Sequence, residues 1–537
     1  MAGPGAPARR PDNPLEYSLI VLALVFYCLS WKLLPRKRVW FLFAAKTPAE
    51  KPPAAHRNQK LLSDPNTELE LSGGAFRTLV EQVVARLADD LDSLPAQPAS
   101  QLDYSPGLAG EFGHKHLPQT GTAPEQVLDF LFNQVIPPGF NATSPGFFGY
   151  LPGGGLPHAA VADLISGVVN RFVGRWAAAP SAVELEANVL RWFAEIIGYP
   201  ESANGILTSG GSTANLTAFF TARQHHLAPA ELMSGRYYAS DQVHFSVQKA
   251  ALMCGLPAES FRKVPSDASG RMDVSALAKL IQEDRAAGAK PFLVVASAGT
   301  FITGAVDEFE AISLVTQREK IWLHADAAYG GFFMLTERGK RIMRGIERCD
   351  SISLDPHKSL FLPYGTGALL VLDGHALKRA HEIDADRYGP IQDDPEKVDF
   401  CSYSAEQTRP FRGLRVWLPM ALHGISPFRD NLEEKLALAR LASEDLGAIP
   451  GVQIVAQPTL TVVLFRLGLP DRDENELADL NRRLVERVNA KQRVFLMNVT
   501  FKGRSSIRMC ILSFRSHLDR VLEAIADVRE AAADLTR

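Results

Sequence analysis

Five short apolar runs constrain this chain more than any other feature: "GILTSG", "RYYAS", "PFLVVASAGT", "KIWLHADAAYG" and "CDSISLDPHK", all between Ala159 and Lys358. Each has the length of a strand, helical patterns separate them, and most end in small or polar residues. Strands alternating with helices predict an α/β fold with a mainly parallel sheet covered on both faces. In such sheets ligands bind beyond the carboxyl ends of the strands, so the polar tails of these runs form one candidate site. Ahead of them, "SAVELEANVLRWFAEIIGYP" reads as a helix with Ser181 and Glu184 as a capping box and Gly198 as its stop.

Past "FRGLRVWLPMALHG" the texture changes. Two charged amphipathic helices, "NLEEKLALARLASEDLG" and "ENELADLNRRLVERVN", surround the strand "TVVLFRL". "RVFLMNV" and "SSIRMCIL" follow as strands, and a last helix starts near His517. This predicts a small C-terminal α+β domain, and 537 residues are enough for two or three domains. The expected organisation is an anchor over 1–45, a linker over 46–70, a helical segment over 71–150, a large domain over 151–412 and a small domain over 413–537. In the helical segment Phe76, Leu79, Val80, Val83, Val84, Leu87 and Leu91 share one face, and Pro95 ends the helix. That face must dock on its own domain or on a second subunit.

The N-terminus carries an uncharged stretch from Tyr17 to Trp31, widening to about 20 residues between Leu15 and Leu34. That length can cross a hydrocarbon core as a transmembrane helix. Lys32, Arg36, Lys37 and Arg38 follow it, so the expectation is a single-pass membrane protein with its body in the cytoplasm. An interfacial anchor or an upstream start codon are the other readings. The triplets at Asn141, Asn215 and Asn498 would accept glycans in a secretory lumen, and Asn215 falls in a glycine-rich loop where a glycan would block the site. The 57 basic and 60 acidic residues nearly balance, which speaks against nucleic acid as a partner. The five cysteines are scattered, with neither a disulfide framework nor a zinc cluster.

The ends of the runs carry chemistry. "TSGGSTANL" passes from a strand through two glycines into a helix, where backbone N–H groups with Ser212 and Thr213 suit a phosphate. "SDQVH" sets His244 just inside a helix, placed to lay its ring over an aromatic cofactor. "HADAAYGG" ends a strand on Asp326. His324 and Asp326 share a face, but no third metal ligand accompanies them, and a carboxylate opposite a heterocyclic N–H⁺ suits Asp326 better. In "SISLDPHKSLFLPYGTGALLVLD" Lys358 sits among residues that read as buried, and a lysine held out of water becomes a usable nucleophile for imine chemistry. Phosphate cradle, stacking ring, pyridinium partner and amine are together what a pyridoxal phosphate site needs.

On "FFGYLPGGG", "WAAAPSAVELE", "TSGGSTANL", "SDQVH", "HADAAYGG", "DPHK" and "FRGLRVW", the chain resembles the group II pyridoxal-phosphate-dependent amino acid decarboxylases from about Leu71 to its C-terminus. The resemblance implies a fold type I transferase-like architecture and a homodimer with a shared active site, embraced by the helical segment. It implies that Lys358 holds pyridoxal 5'-phosphate, that Asp326 keeps the ring nitrogen protonated, and that Ala328 packs beneath the ring with His244 above. Ser212, Thr213 and His357 are then expected at the phosphate and Thr300 beside the ring. Tyr388, in "DADRYGPIQDD", matches the family's loop tyrosine that protonates Cα after CO₂ leaves, and a phenylalanine there would point to oxidative aldehyde formation. Asp355 departs from the pattern, because asparagine often stands near the phosphate. Tyr150, Leu151 and Pro152 fall at the substrate-pocket wall, whose apolar character favours an aromatic or branched apolar L-amino acid. Two alternatives stay open: a membrane-anchored aldehyde-lyase like sphingosine-phosphate lyase, and a non-catalytic membrane scaffold.

Overall fold

Seven strands form the sheet that the apolar runs predict: β1 (Asn204–Thr208), β2 (Gly235–Ser240), β3 (Phe261–Val264), β4 (Lys290–Ser297), β5 (Trp322–Asp326), β6 (Ser351–Leu354) and β7 (Gly367–Val371). The computed structural model describes residues 69–101, 116–383 and 397–536. The sheet order is β1-β7-β6-β5-β4-β2-β3. The pairs β2/β3, β2/β4, β4/β5 and β5/β6 are parallel, and β7 alone runs against its neighbours β1 and β6. The carboxyl ends of the other six strands therefore lie along one edge. Every residue of β4 after Lys290 is buried, as expected for a strand covered on both faces. The runs for β1, β2, β4, β5 and β6 were legible, whereas β3 and β7 add two strands to the sequence reading.

Helix α1 (Gly73–Ser93) carries the predicted apolar face, yet none of its residues is buried, and Val84, Leu87 and Leu91 are exposed. The chain divides into two compact units, Met1–Thr78 and Leu79–Arg537. The expected membrane span lies outside the described residues, and among the described residues no helix is long and apolar enough to cross a membrane. Helix α2 (Pro157–Val169) is apolar and likewise leaves Val161, Leu164, Ile165, Val168 and Val169 exposed.

Helix α3 (Pro180–Ile197) ends on Gly198 in the left-handed region at φ 88°, as predicted, but the capping box is a misreading. Its N-cap is Ala179, with no side-chain cap, and Pro180 opens the helix. A proline at the first helical position lacks the N–H that a cap would satisfy, and its φ is already helical. Glu184 instead accepts a hydrogen bond from Trp176 Nε1 at 3.0 Å.

The C-terminal part holds an antiparallel sheet of β8 (Val452–Ala456), β9 (Val462–Leu467), β10 (Met497–Phe501) and β11 (Arg504–Cys510), in the order β8-β9-β11-β10. Strand β8 was missed, and "RVFLMNV" becomes regular strand only from Met497. Helices Ser426–Gly447, Glu474–Ala490 and Leu518–Thr536 cover it, burying Leu446, Leu484, Val488 and Ile525 against Val463, Phe465 and Ile507. Each such side chain contributes about 1.5–3 kcal/mol by leaving water. This sheet also anchors the substrate-wall segment: Phe148 N–H donates to Phe495 O at 3.0 Å and Cys510 N–H to Phe148 O at 2.9 Å.

Candidate active site

The strand ends converge on a cavity of about 480 Å³. Its walls include Ser212, Thr213, His244, Thr300, Asp326, Ala328, His357 and Lys358, together with Tyr150 and Leu151. Pro152 is buried and is not part of the wall, and Tyr388 lies outside the described residues.

The turn from β1 into helix α4 (Gly211–His226) forms one side. The first N–H groups of a helix have no intrahelical acceptor and favour an anion. Gly211 in this turn and Gly367 on the neighbouring strand leave no room for a side chain. A Cβ on Gly211 would stand 2.9 Å from Asp355 Oδ2 and 3.0 Å from Ala328 Cβ, and one on Gly367 would stand 2.5 Å from Gly210 Cα. Ser209 and Thr213 join their hydroxyls at 2.8 Å beside this turn.

After β2, His244 is the N-cap of helix α5 (Phe245–Met253), one residue earlier than its expected place inside the helix. Its Nδ1 accepts from Ser246 N–H at 3.3 Å and lies 2.7 Å from Ser246 Oγ. Burial holds the imidazole below the usual histidine range. After β4, Gly299 takes φ 105°, where a Cβ would meet the Tyr329 ring at 2.6 Å, and Thr300 follows with its N–H donating to Ala305 O at 2.8 Å. Asp307 holds this turn from behind, accepting from Ser297 N–H and Met272 N–H, both at 2.7 Å. Complete burial pushes its carboxyl up to about 6 despite those two donors.

Asp326 ends β5. Its Oδ2 accepts from Asn215 Nδ2 at 2.9 Å, and its Oδ1 accepts from Ser353 Oγ and Ala328 N–H, both at 3.3 Å. His324, two residues earlier, offers no metal a free nitrogen, because Nδ1 meets Ser351 Oγ at 2.9 Å and Nε2 meets Asn215 Oδ1 at 3.0 Å. Among the described residues no group of three or more His, Cys, Asp or Glu side chains is arranged to hold a metal ion.

After β6 the chain makes one helical turn, Pro356–Ser359. Lys358 is half-buried, with Ser359 and Leu360 buried behind it. Its Nζ lies 2.8 Å from Oδ2 of Asp355, whose side chain is 3% exposed and whose Oδ1 has no partner among the described residues. His357 Nδ1 donates to Thr366 O at 2.6 Å, which leaves Nε2 toward Asp355 at 3.7 Å.

The outer wall is apolar. The Tyr150 and Phe301 rings lie 6.4 Å apart, and the Arg508 guanidinium stacks 4.4 Å from the Phe301 centroid. Arg508 is fully buried, donates to the carbonyls of Phe301 and Tyr150, and has no partner for Nη2 among the described residues.

These residues fit pyridoxal phosphate: an amine, an acceptor-only carboxylate across the same cavity, a neutral imidazole, and a glycine cradle at a helix start with two hydroxyls. Asp355 is the one member that suits a phosphate poorly, being an anion against Gly211. Sequence reasoning missed Asn215, Ser246, Asp307 and Arg508. Asn215 was visible only as a glycosylation triplet, and its 3% exposure leaves no room for a glycan.

Comparison with known proteins points to the same cofactor. The family model "Pyridoxal-dependent decarboxylase conserved domain" matches residues 113–468. An aromatic-L-amino-acid decarboxylase of Bacillus atrophaeus is 32% identical over 475 residues, covering 87% of this chain and 98% of that protein. Among solved structures, Oryza sativa TDC with PLP and tryptamine superposes with a TM-score of 0.82 at 25% identity, covering 87% of this chain and 99% of that one. Catharanthus roseus tryptophan decarboxylase in complex with L-tryptophan gives 0.81 at 25% identity, with the same coverage.

Proposed function

We propose, from the premise that this chain belongs to the pyridoxal-dependent decarboxylase family and is a carboxy-lyase acting on an amino acid, that its substrate is an aromatic L-amino acid. The observation that carries this reading is the single cavity shared by Lys358, Asp326, His244 and the Gly210–Gly211 turn, walled by Tyr150, Leu151 and Phe301. The relatives named above act on aromatic substrates by their names, and an apolar wall of two facing rings suits an aromatic side chain.

When bound, pyridoxal phosphate supplies the electron sink that receives the bonding pair left as CO₂ departs. Lys358 would hold the cofactor through its amine. Asp326, a carboxylate fixed by three donors, would keep the pyridine nitrogen protonated. Ala328, His244 and Thr300 would hold the ring. Ser212, Thr213 and His357 would bind the phosphate with the start of α4. Tyr388 returns a proton to Cα, and a tyrosine at that place supports amine over aldehyde as product.

Two further readings belong here. The exposed apolar faces of α1 and α2 support a homodimer, since contiguous apolar surface of this kind marks an interface. The uncharged Tyr17–Trp31 stretch and the basic residues after it support a single-pass anchor with the catalytic body in the cytoplasm.

The test is incubation of the cofactor-loaded protein with a panel of L-amino acids, detecting CO₂ and amine by mass. Amines from aromatic substrates are expected. Turnover confined to acidic amino acids would overturn the substrate class, and cleavage of a phosphorylated amino-alcohol lipid without CO₂ would indicate the aldehyde-lyase.

A further inference from the structure

We propose that Asn215 is a positioning residue that sets the Asp326 carboxylate and the His244 imidazole relative to one another. The inference rests on the reading of Asp326 as the partner of the ring nitrogen, and it concerns what holds that partner in place.

Asn215 sits in the second turn of α4 and is 3% exposed. Its amide nitrogen donates to Asp326 Oδ2 at 2.9 Å and to Ser246 Oγ at 3.0 Å. Its amide oxygen lies 3.0 Å from His324 Nε2. One side chain thus ties together the end of β5, the start of α5 and the middle of β5.

The direction of every proton in this network follows from its two ends. An ionised carboxylate only accepts, so the amide nitrogen of Asn215 must face Asp326. The amide oxygen then faces His324, whose Nε2 must carry the proton. Burial pushes His324 down to about 4, so its Nδ1 is bare and accepts from the Ser351 hydroxyl at 2.9 Å. Ser351 Oγ in turn accepts from Trp322 Nε1 at 2.8 Å, and an indole N–H can only donate. The chain Trp322–Ser351–His324–Asn215–Asp326 therefore has a donor-only group at one end and an acceptor-only group at the other, and a single proton arrangement satisfies it. The Asn215 amide cannot turn over without setting its oxygen against a carboxylate.

A branch reaches the other face of the site. Ser246 Oγ accepts from Asn215, so its own proton goes to His244 Nδ1 at 2.7 Å, which already accepts from Ser246 N–H. The proton of His244 is then confined to Nε2. Asn215 fixes the orientation of the carboxylate and, through the Ser246 hydroxyl, aims a second donor at Nδ1 of the stacking histidine.

The experiment uses the full chain with ¹⁵N-histidine labelling, before cofactor addition, and titration with pyridoxal 5'-phosphate followed by protein fluorescence. Long-range ¹H–¹⁵N spectra should show His244 and His324 as Nε2–H tautomers. Asn215→Asp keeps the shape and removes the donors. It should shift the His244 Nδ1 resonance and weaken cofactor binding by about tenfold or more, the effect of losing a hydrogen bond to a charged group. Ser246→Ala cuts only the branch: its backbone N–H still donates to His244 Nδ1, so the Nε2–H tautomer should persist while the Nδ1 resonance moves with the lost hydroxyl bond and cofactor affinity is largely preserved. Unchanged affinity in Asn215→Asp, or an unchanged His244 Nδ1 resonance in either variant, would overturn the proposal. Asp326→Asn serves as the control. If it too binds cofactor like wild type, the reading of Asp326 fails; if only the Asn215 variant does, the positioning role fails alone.

Discussion

Lys358 Nζ stands 2.8 Å from Asp355 Oδ2, three residues earlier at the N-cap of its helical turn, while Asp355 Oδ1 is buried with no partner among the described residues. The carboxylate also faces Gly211, at the start of the helix whose N–H groups suit a phosphate. Asp355 therefore attracts the amine and opposes the anion. Removing its charge should reveal the second effect. Inorganic phosphate, titrated calorimetrically, should bind Asp355→Asn at least roughly fivefold more tightly than wild type, since a like charge about 4 Å away costs about 1 kcal/mol even at the dielectric of bulk water. Weaker phosphate binding would show that Asp355 supports the cradle.

A second expectation concerns pH. His324 titrates near 6.5 in an ordinary environment and near 4 in the fold, because burial disfavours its cation. Between those values the unfolded chain binds the extra proton and the native chain does not, so stability falls as pH drops through that window. One such group contributes up to about 1.4 kcal/mol per pH unit. His324→Asn should flatten the dependence in urea unfolding series between pH 6.5 and 4, the limits set by His324. His226 and His381, also held near 4 by burial, should leave a residual slope. An unaltered slope in the variant would mean that His324 is protonated in the native state.

Tyr388→Phe should shift product from amine toward aldehyde, with the amine rate falling at least tenfold, as expected for loss of a positioned proton donor. Mass detection of both products separates the outcomes. An unchanged amine yield would remove Tyr388 from the mechanism.

If the chain forms the proposed dimer with a shared site, Ile165→Lys, on the exposed apolar face of α2, should leave it monomeric and inactive together. Sedimentation velocity and turnover, measured across the same concentrations, test this. A monomeric variant with full activity would show that each chain completes its own site.

Much of this site could be read from sequence because parallel strands advertise themselves. Runs buried on both faces, as in β4 and β5, are apolar until the residue that leaves the sheet, so Asp326 and the Asp355–Lys358 turn stood out by contrast. Strand β7 was harder to see: it runs antiparallel, and only the single helical turn Pro356–Ser359 precedes it where the alternation calls for a full helix. The capping box at Ser181 failed because Pro180 had already opened the helix. Asn215 and Arg508 were invisible for another reason. Each acts through partners 31 or more positions away for Asn215 and 207 or more for Arg508's backbone contacts, which no local pattern encodes.

The most direct measurement is borohydride reduction of the protein loaded with pyridoxal phosphate, followed by peptide mass mapping. The expected result is one phosphopyridoxyl group per chain, on Lys358, with loss of the visible cofactor absorbance in Lys358→Ala. Label on another lysine, or a Lys358→Ala variant that keeps both label and turnover, would contradict the assignment of this cavity.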